Sequence, residues 1–342
     1  MKTILVTGAN GFIGSHTINW LTQRAAQNSE LNIIAACRDR AKLAPGFEGE
    51  VREGDLRDKA YLHTLLNGVD GVVNCMAWSS LWGHKPLSDR LYFQPVQQLI
   101  EQFFSSEASR FVNVSSSSAA SPEHSQDASS PGIPHPFWPH MCNVINIENL
   151  LRQRQQQQTD KTIVNMRLGI FAGESYGLGL LPVLIPRLKT HLVPWVAGGY
   201  TDLPIVDGRD LGQSLGLAAL TADLHGYQAF NITGPQVPTV REVILFLNKE
   251  YGYPRPHFSV PFSVAYPFAW LMEKFDVIVP WEPLIVRSIV HLLEETGSNN
   301  LHAEKLLGYR PVHDWRDAIR VQVAEMNKKQ TRPMSMARPV TD

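Results

Sequence analysis

Apolar positions set a regular rhythm from the first residues. Ile4, Leu5 and Val6 form a short run that stops at Thr7-Gly8, and beyond the turn Ile13, Ile18 and Leu21 recur on one face of a predicted helix. Leu31 to Cys37 is the second predicted strand. The stretch from Glu50 to Asp58 supplies a short third one with Asp55 at its carboxyl end, before a helical stretch carrying Tyr61, Leu62, Leu65 and Leu66. Gly68 to Ala77 supplies a fourth strand with its entry turn, and a helix from about Pro95 to Ser106 follows. The strand from Arg110 runs straight into four serines, Ser115 to Ser118. Met141 to Gln158 then carries a broad apolar stripe, and Thr162 to Leu168 returns as a buried strand. Such alternation predicts an α/β fold, a doubly wound parallel sheet.

The connecting and later segments differ in texture. Ala119 to Pro139 is crowded with Ser, Pro and His, as expected of a long loop over a site. After Gly173 glycine, proline and aromatic residues dominate up to Tyr200; Leu203 to Val206 is strand-like, Asp207-Gly208-Arg209-Asp210-Leu211 opens a helix, and Ala229 to Thr233 is one more strand. The expected division is a nucleotide-binding domain over 1–174 with returning segments at about 204–233, and a smaller, mostly helical lobe over 175–203 and 234–328. Residues 329–342 have too few apolar groups to pack and are expected to be disordered. Val260 to Trp281 is greasy but broken by Pro261, Pro267, Glu273, Lys274, Asp276 and Pro280, so it does not span a bilayer. It is expected to line an apolar pocket, with contact to a membrane surface as the alternative.

Composition narrows the classes of partner. With 342 residues, 44% hydrophobic, 18% charged and a net charge of -1, nothing points to a nucleic-acid partner, so binding must come from local sites. Cys37, Cys75 and Cys142 are widely separated, which fits neither a disulfide framework nor a zinc cluster; no metal site is predicted and all three are expected to be buried, reduced thiols. The N-terminus is itself the first strand, so no removable signal is read there and a cytoplasmic protein is expected.

The first turn carries candidate chemistry. Gly8, Gly11 and Gly14 stand three apart between strand and helix: the first allows a sharp turn, the second lets a pyrophosphate approach the backbone, and the third lets helix and strand touch. Amides at the helix start favour an anion. The stretch is read as a Rossmann-type dinucleotide cradle. Arg38 sits where the chain leaves the second strand, a place where an acidic residue grips a ribose 2'-hydroxyl and an arginine pairs with a 2'-phosphate. With Arg40 and Lys42 behind it, NADP(H) is expected over NAD(H), a solvated basic loop being the alternative.

Together these residues resemble the extended short-chain dehydrogenase/reductase family, the group that includes sugar-nucleotide epimerases and dehydratases, dihydroflavonol reductases and 3β-hydroxysteroid dehydrogenases. The resemblance rests on Thr7-Gly8-Ala9-Asn10-Gly11-Phe12-Ile13-Gly14, Gly54-Asp55-Leu56 and Val69-Asp70-Gly71-Val72-Val73. It continues through the strand leading to Ser115 and Ser116, through Arg167-Leu168-Gly169-Ile170-Phe171-Ala172-Gly173, and through Pro204 to Asp210. It implies that Asp55 and Leu56 lie by the adenine, Ala77 by the nicotinamide ribose, and Ser116 in the place of the catalytic Ser/Thr, though the serines also suit a capping or loop role. A homodimer through the helix from Met141 is implied as well.

One departure from the pattern matters most. The family places a Tyr and a Lys four residues apart on the helix after the serine strand, and in the register set by Glu148 those positions hold His140 and Val144. No register restores the pair, because there is no tyrosine between Tyr92 and Tyr176 and no lysine between Lys85 and Lys161. Hydride transfer at a carbonyl needs a proton at its oxygen, and a positioned acid contributes about 100-fold to 10,000-fold. His140 is the candidate replacement near neutral pH, His135 a second, and Asn143 and Ser116 can hold a substrate oxygen without titrating; helix capping or packing is the other reading of His140. By resemblance Trp78, Trp82, Phe137, Trp138, Trp195, Tyr200, Trp270 and Trp281 surround the cleft, which suits an apolar or ring-shaped ligand, with core packing accounting for part of them. The expected function is NADP(H)-dependent reduction of an apolar ketone or quinone-like molecule by an altered mechanism. A non-catalytic regulator or assembly partner and a sugar-nucleotide epimerase or dehydratase stand beside it.

Overall fold

A computed structural model of the chain describes residues 2–120, 126, 128, 129, 132–275, 283, 285–295 and 297–331. The first half runs β1 (Lys2–Thr7), α1 (Phe12–Ala25), β2 (Leu31–Cys37), β3 (Glu50–Glu53), α2 (Lys59–Leu65), β4 (Gly71–Asn74), α3 (Lys85–Ser88), α4 (Gln94–Ser105), β5 (Arg110–Ser116), α5 (Pro139–Gln157) and β6 (Thr162–Leu168). The second half runs β7 (Ile170–Ala172), α6 (Leu180–Lys189), β8 (Trp195–Val196), β9 (Ile205–Asp207), α7 (Gly208–Leu220), β10 (Tyr227–Ile232), α8 (Val240–Tyr251), β11 (Ser259–Val260), α9 (Phe262–Phe275), α10 (Arg287–Leu292), α11 (Leu301–Leu307) and α12 (Trp315–Thr331). Seven strands form one sheet in the order β10-β6-β5-β4-β1-β2-β3, and every pairing in it is parallel. This is the expected doubly wound arrangement, with the order reversing between β1 and β4. Two small sheets, β7 with β9 and β8 with β11, stand apart from it.

Alternate side chains of the strands feed two cores. Ile4, Val6, Val73, Val112 and Val164 pack with α1 and α7, while Leu5, Val72, Phe111 and Ile163 face the layer of α2, α4 and α5. Burying a side chain of this size contributes about 1.5–3 kcal/mol. Helices α1 and α7 meet very closely. A Cβ at Gly212 would lie 2.3 Å from the His16 carbonyl oxygen and one at Gly216 would lie 2.0 Å from the Trp20 ring, so only glycine fits there. Ala303 and Leu307 of α11 and the following Tyr309 belong to the α1–α7 core, and Tyr309 donates to the Thr233 carbonyl at 3.0 Å. The stretch from Gly234 therefore does not all go to the second lobe. That lobe is a third core of α6, α8 and α12, built on Leu181, Ile185, Val243, Leu247 and Ile319.

Helix α9 turns Ala265 and Ala269 inward, whereas Val264, Phe268, Trp270, Leu271 and Phe275 are exposed, so most of its greasy surface faces outward. Cys37 and Cys75 are buried but Cys142, in the first turn of α5, only partly so; its sulfur donates to the His135 carbonyl, ahead of the helix, at 3.2 Å. Trp281, much of the 119–139 loop and the tail from 332 lie outside the described residues, and α12 runs on to Thr331.

On the α5 side the sheet changes character toward its carboxyl edge. The row Leu5, Val72, Phe111 and Ile163 is apolar; two residues on, Thr7, Asn74, Asn113 and Asn165 hydrogen-bond in succession at 2.8, 3.4 and 2.8 Å. Two residues further, Ser115 and Arg167 meet Glu148 of α5. Arg167 gives Glu148 two hydrogen bonds, 2.7 Å from Nη2 and 3.1 Å from Nε, and Ser115 Oγ donates a third. The pair is sealed from water, with side-chain exposures of 0% and 3%. Removing one partner of such a pair leaves an uncompensated buried charge. Glu148→Ala should therefore cost about 3–5 kcal/mol of stability. A denaturation midpoint equal to that of the unaltered chain would mean that the pair does not anchor α5.

Candidate dinucleotide and substrate site

The glycine turn closes as its spacing predicts. Gly8 has a φ of +60°, and a Cβ there would sit 2.7 Å from the Cys75 carbonyl oxygen. A Cβ on Gly14 would fall 2.2 Å from the Gly8 carbonyl oxygen, so α1 lies directly against the turn. Gly11 is the N-cap of α1, and its amide donates back to the Gly8 oxygen at 2.9 Å. Around Gly11 the backbone is exposed, and the first turn carries neither an acidic residue nor a capping side chain. The positive end of α1 is thus open to an outside anion. These features fit a pyrophosphate: room at Gly11, a helix start without a side-chain cap, and no internal carboxylate in competition.

The other cofactor candidates divide by what their side chains already do. Thr7 is spent in the cross-strand row, Ile13 is buried in the core, and the Phe12 ring stacks on Tyr176 at 4.4 Å. Each of these can offer backbone, not side chain. Asn10 donates to the Asp39 carbonyl at 3.2 Å, which ties the turn to the exit of β2. There Arg38 is exposed and, among the described residues, its guanidinium has no ion-pair partner. Asp39 is turned to Lys42 at 2.9 Å, and that contact holds its carboxyl below the usual range. Beyond β3, Asp55 is gripped by Arg57 at 2.6 Å, which lowers its pKa in the same way, and Leu56 packs against the α2 core. Ala77 is exposed just past the end of β4.

Ser116 ends β5, and its hydroxyl accepts from the Ser118 amide at 3.2 Å, capping a short 3-10 turn. His140 stands at the start of α5, only 8% exposed, with Tyr92 and Trp78 edge-on to its ring at 5.0 and 5.6 Å between centroids. Its Nδ1 lies 3.2 Å from Ser88 Oγ, and Ser88 Oγ accepts from Asn143 Nδ2 at 2.9 Å. When the Ser88 hydrogen is used within this network it goes to Nδ1, and the proton of the neutral ring is then on Nε2. Burial lowers the His140 pKa to about 4. The ring is therefore neutral near pH 7, in contrast to the expected titration there, and offers a hydrogen bond without a spare proton. Val144 is buried in the core one turn on.

The aromatic residues are only partly gathered. Trp138 Nε1 donates to the Ser80 carbonyl at 2.8 Å, and Ser288 Oγ donates to the Leu81 carbonyl, which draws the segment of Trp78 and Trp82 toward α5 and α10. Phe137, His135 and His291 continue this wall, with centroid distances of 5.1 Å from His135 to both neighbours. Trp195 is elsewhere. It is buried in the third core under the Arg241 guanidinium, 4.7 Å from its ring, because β8 pairs with β11 and not with the main sheet. Ser88, Tyr92, Ser117, His291 and Glu295 surround this region without any spacing in the sequence that marks them.

Comparison with known proteins places the architecture. The NAD dependent epimerase/dehydratase family model matches residues 4–222. The mouse (Mus musculus) sterol-4-alpha-carboxylate 3-dehydrogenase, decarboxylating, is 22% identical over 336 residues, covering 93% of this chain and 89% of the relative. A UDP-glucose 4-epimerase of Neisseria meningitidis is 38% identical over only 84 residues, 22% of this chain and 24% of the relative. Among solved structures, UDP-glucuronic acid 4-epimerase from Bacillus cereus with UDP-glucuronic acid and NAD has a TM-score of 0.68 at 19% identity, covering 96% of this chain and 99% of the other. UDP-glucose-4-epimerase from Stenotrophomonas maltophila, with bound NAD and formylated UDP-arabinopyranose, gives 0.71 at 17% identity over 96% and 99%. Among the described residues no helix is long and apolar enough to cross a membrane. From the glycine turn through the seven-stranded sheet to the Asp207-Gly208-Arg209-Asp210 helix start, the chain belongs to the NAD dependent epimerase/dehydratase family.

Proposed function

We propose that the chain binds NADP(H) and reduces an apolar or aromatic carbonyl or quinone-like molecule without the family's tyrosine and lysine. The observation that carries the cofactor choice is Arg38, exposed beside the glycine turn while Asp39 is engaged by Lys42. Bound NADPH supplies the hydride. The chain's part is to seat the pyrophosphate at the uncapped start of α1 beside Gly11, to pair Arg38 with the 2'-phosphate, and to hold the substrate oxygen by Ser116 and the neutral His140. Trp78, Trp82 and Trp138 shield the reacting face from water, in keeping with an apolar ring. The mouse relative's name, a sterol carboxylate dehydrogenase, points to the same substrate class.

Titration with NADPH and NADH should give tighter binding of NADPH, and Arg38→Asp should weaken it about 10- to 100-fold, the worth of a charged hydrogen bond. Equal affinities in the unaltered chain would refute the 2'-phosphate contact. Failure to bind either dinucleotide would remove the oxidoreductase reading altogether. In an NADPH turnover assay against quinones and aromatic ketones, with UDP-glucose as the sugar-nucleotide control, His140→Ala should reduce kcat at least about 10-fold. Because the ring is already neutral above its pKa of about 4, the rate should show no His140 inflection between pH 5 and 8. Unchanged turnover in His140→Ala takes His140 out of the site.

A further inference from the structure

We infer that Ser117 and Glu295 form a proton relay that serves in place of the absent tyrosine and lysine. The inference rests on the reductase reading above. Ser117 begins the turn that Ser116 caps, immediately past the carboxyl end of β5, where the dinucleotide fold presents its chemistry. Glu295 comes from the segment after α10 and receives a hydrogen bond from Ser117 Oγ at 3.2 Å. Both are nearly sealed, at 5% and 6% exposure. Glu295 Oε1 is buried and, among the described residues, makes no hydrogen bond of full geometry, the nearby Ser298 hydroxyl being its one polar support. A carboxylate left in that state is costly, whereas a protonated carboxyl needs one acceptor fewer satisfied and can donate to Ser117.

The surroundings hold this carboxyl in place and set its charge. Asp202 clamps the segment from the far side: its amide donates to the Glu295 carbonyl at 2.9 Å and its carboxylate accepts from the Gly297 amide. Burial dominates and pushes the Glu295 pKa up to about 7; the Ser298 and Ser117 hydroxyls pull it down, Asp202 pushes it up and His291 pulls it down. A proton donor works best when its pKa lies near the operating pH. Glu295 meets that condition and His140, at about 4, does not.

The step balances. As the carbonyl carbon accepts the hydride and NADP+ is left as the oxidised product, the electron pair of the broken C=O π bond takes the Ser117 hydroxyl proton. Ser117 Oγ takes the Glu295 proton, and the carboxylate regains a proton from water before the next turnover. Ser117 touches the substrate oxygen; Glu295 acts through it.

Glu295→Gln keeps the shape and the Ser117 contact but has no proton to give. It should lower kcat about 100-fold or more with NADPH affinity unchanged, and it should abolish the fall of kcat that the unaltered enzyme shows as pH rises through about 7. Glu295→Asp should restore part of the rate and the inflection. A readout independent of turnover is stability against pH. The folded chain holds this proton more tightly than the unfolded chain, so stability should decline as pH rises from about 4.5 to about 7, and Glu295→Gln should flatten that decline. Should Glu295→Gln fail to fold, Ser117→Ala carries the kinetic test, with the same loss expected. Turnover and pH profile identical to the unaltered enzyme in either variant overturn the relay alone. NADPH binding with no turnover of any carbonyl in the unaltered enzyme overturns the reductase reading and the relay with it.

Discussion

The buried pair of Glu148 and Arg167 decides where the site can be. Helix α5 buries an apolar stripe of Met141, Val144, Ile145, Ile147 and Leu151, but its glutamine-rich end is polar and a greasy stripe alone does not set its register along the sheet. Two hydrogen bonds from Arg167 and one from Ser115 fix it over β5 and β6, because a charge buried at that depth must keep its partners. With Glu148 fixed, two turns of helix place His140 at the start of α5, against Ser88, Tyr92 and Trp78. An ion pair of this kind adds little net stability over an apolar replacement, but it sets register, and register is what a site needs.

What the sequence made legible is what repeats. The parallel strands read as continuous apolar runs because both faces of the sheet are covered, and the glycine turn announced itself through three residues whose spacing has a steric reason. The two-residue strands β8 and β11 have no periodicity to detect. Trp195 belongs to the core they help to close, so its colour as an aromatic said nothing of its place. Tyr309 and α11 joined the main core through a contact to Thr233 that is far away in the chain.

The same limit applies at the candidate site. That His140 stands at the start of α5, two turns before Glu148, could be read from the sequence; that its ring is neutral could not, because the desolvation comes from Trp78 and Tyr92 on other segments. Glu295 is one of two adjacent glutamates, and nothing local tells them apart. Glu294 accepts from Tyr266 at 2.6 Å while Glu295 turns inward to Ser117. Neighbouring carboxyls thus face two environments, and only the three-dimensional arrangement separates a partly exposed acceptor from a buried acid.

The row of Thr7, Asn74, Asn113 and Asn165 has a consequence for how the sheet is assembled. Every hydrogen bond in it runs the same way, from β1 toward β6, so each side chain donates in the direction that the next one accepts. The four strands involved are separated by up to a hundred and more residues of intervening chain, and parallel pairs are slow to find. A strand displaced by one residue would turn its polar member toward α1 and α7 and leave it unpaired among aliphatic side chains. The row therefore acts as a register key: a mispaired strand is penalised when the helices close over it, and the polar edge on which the cofactor would rest exists only when all four strands stand in register.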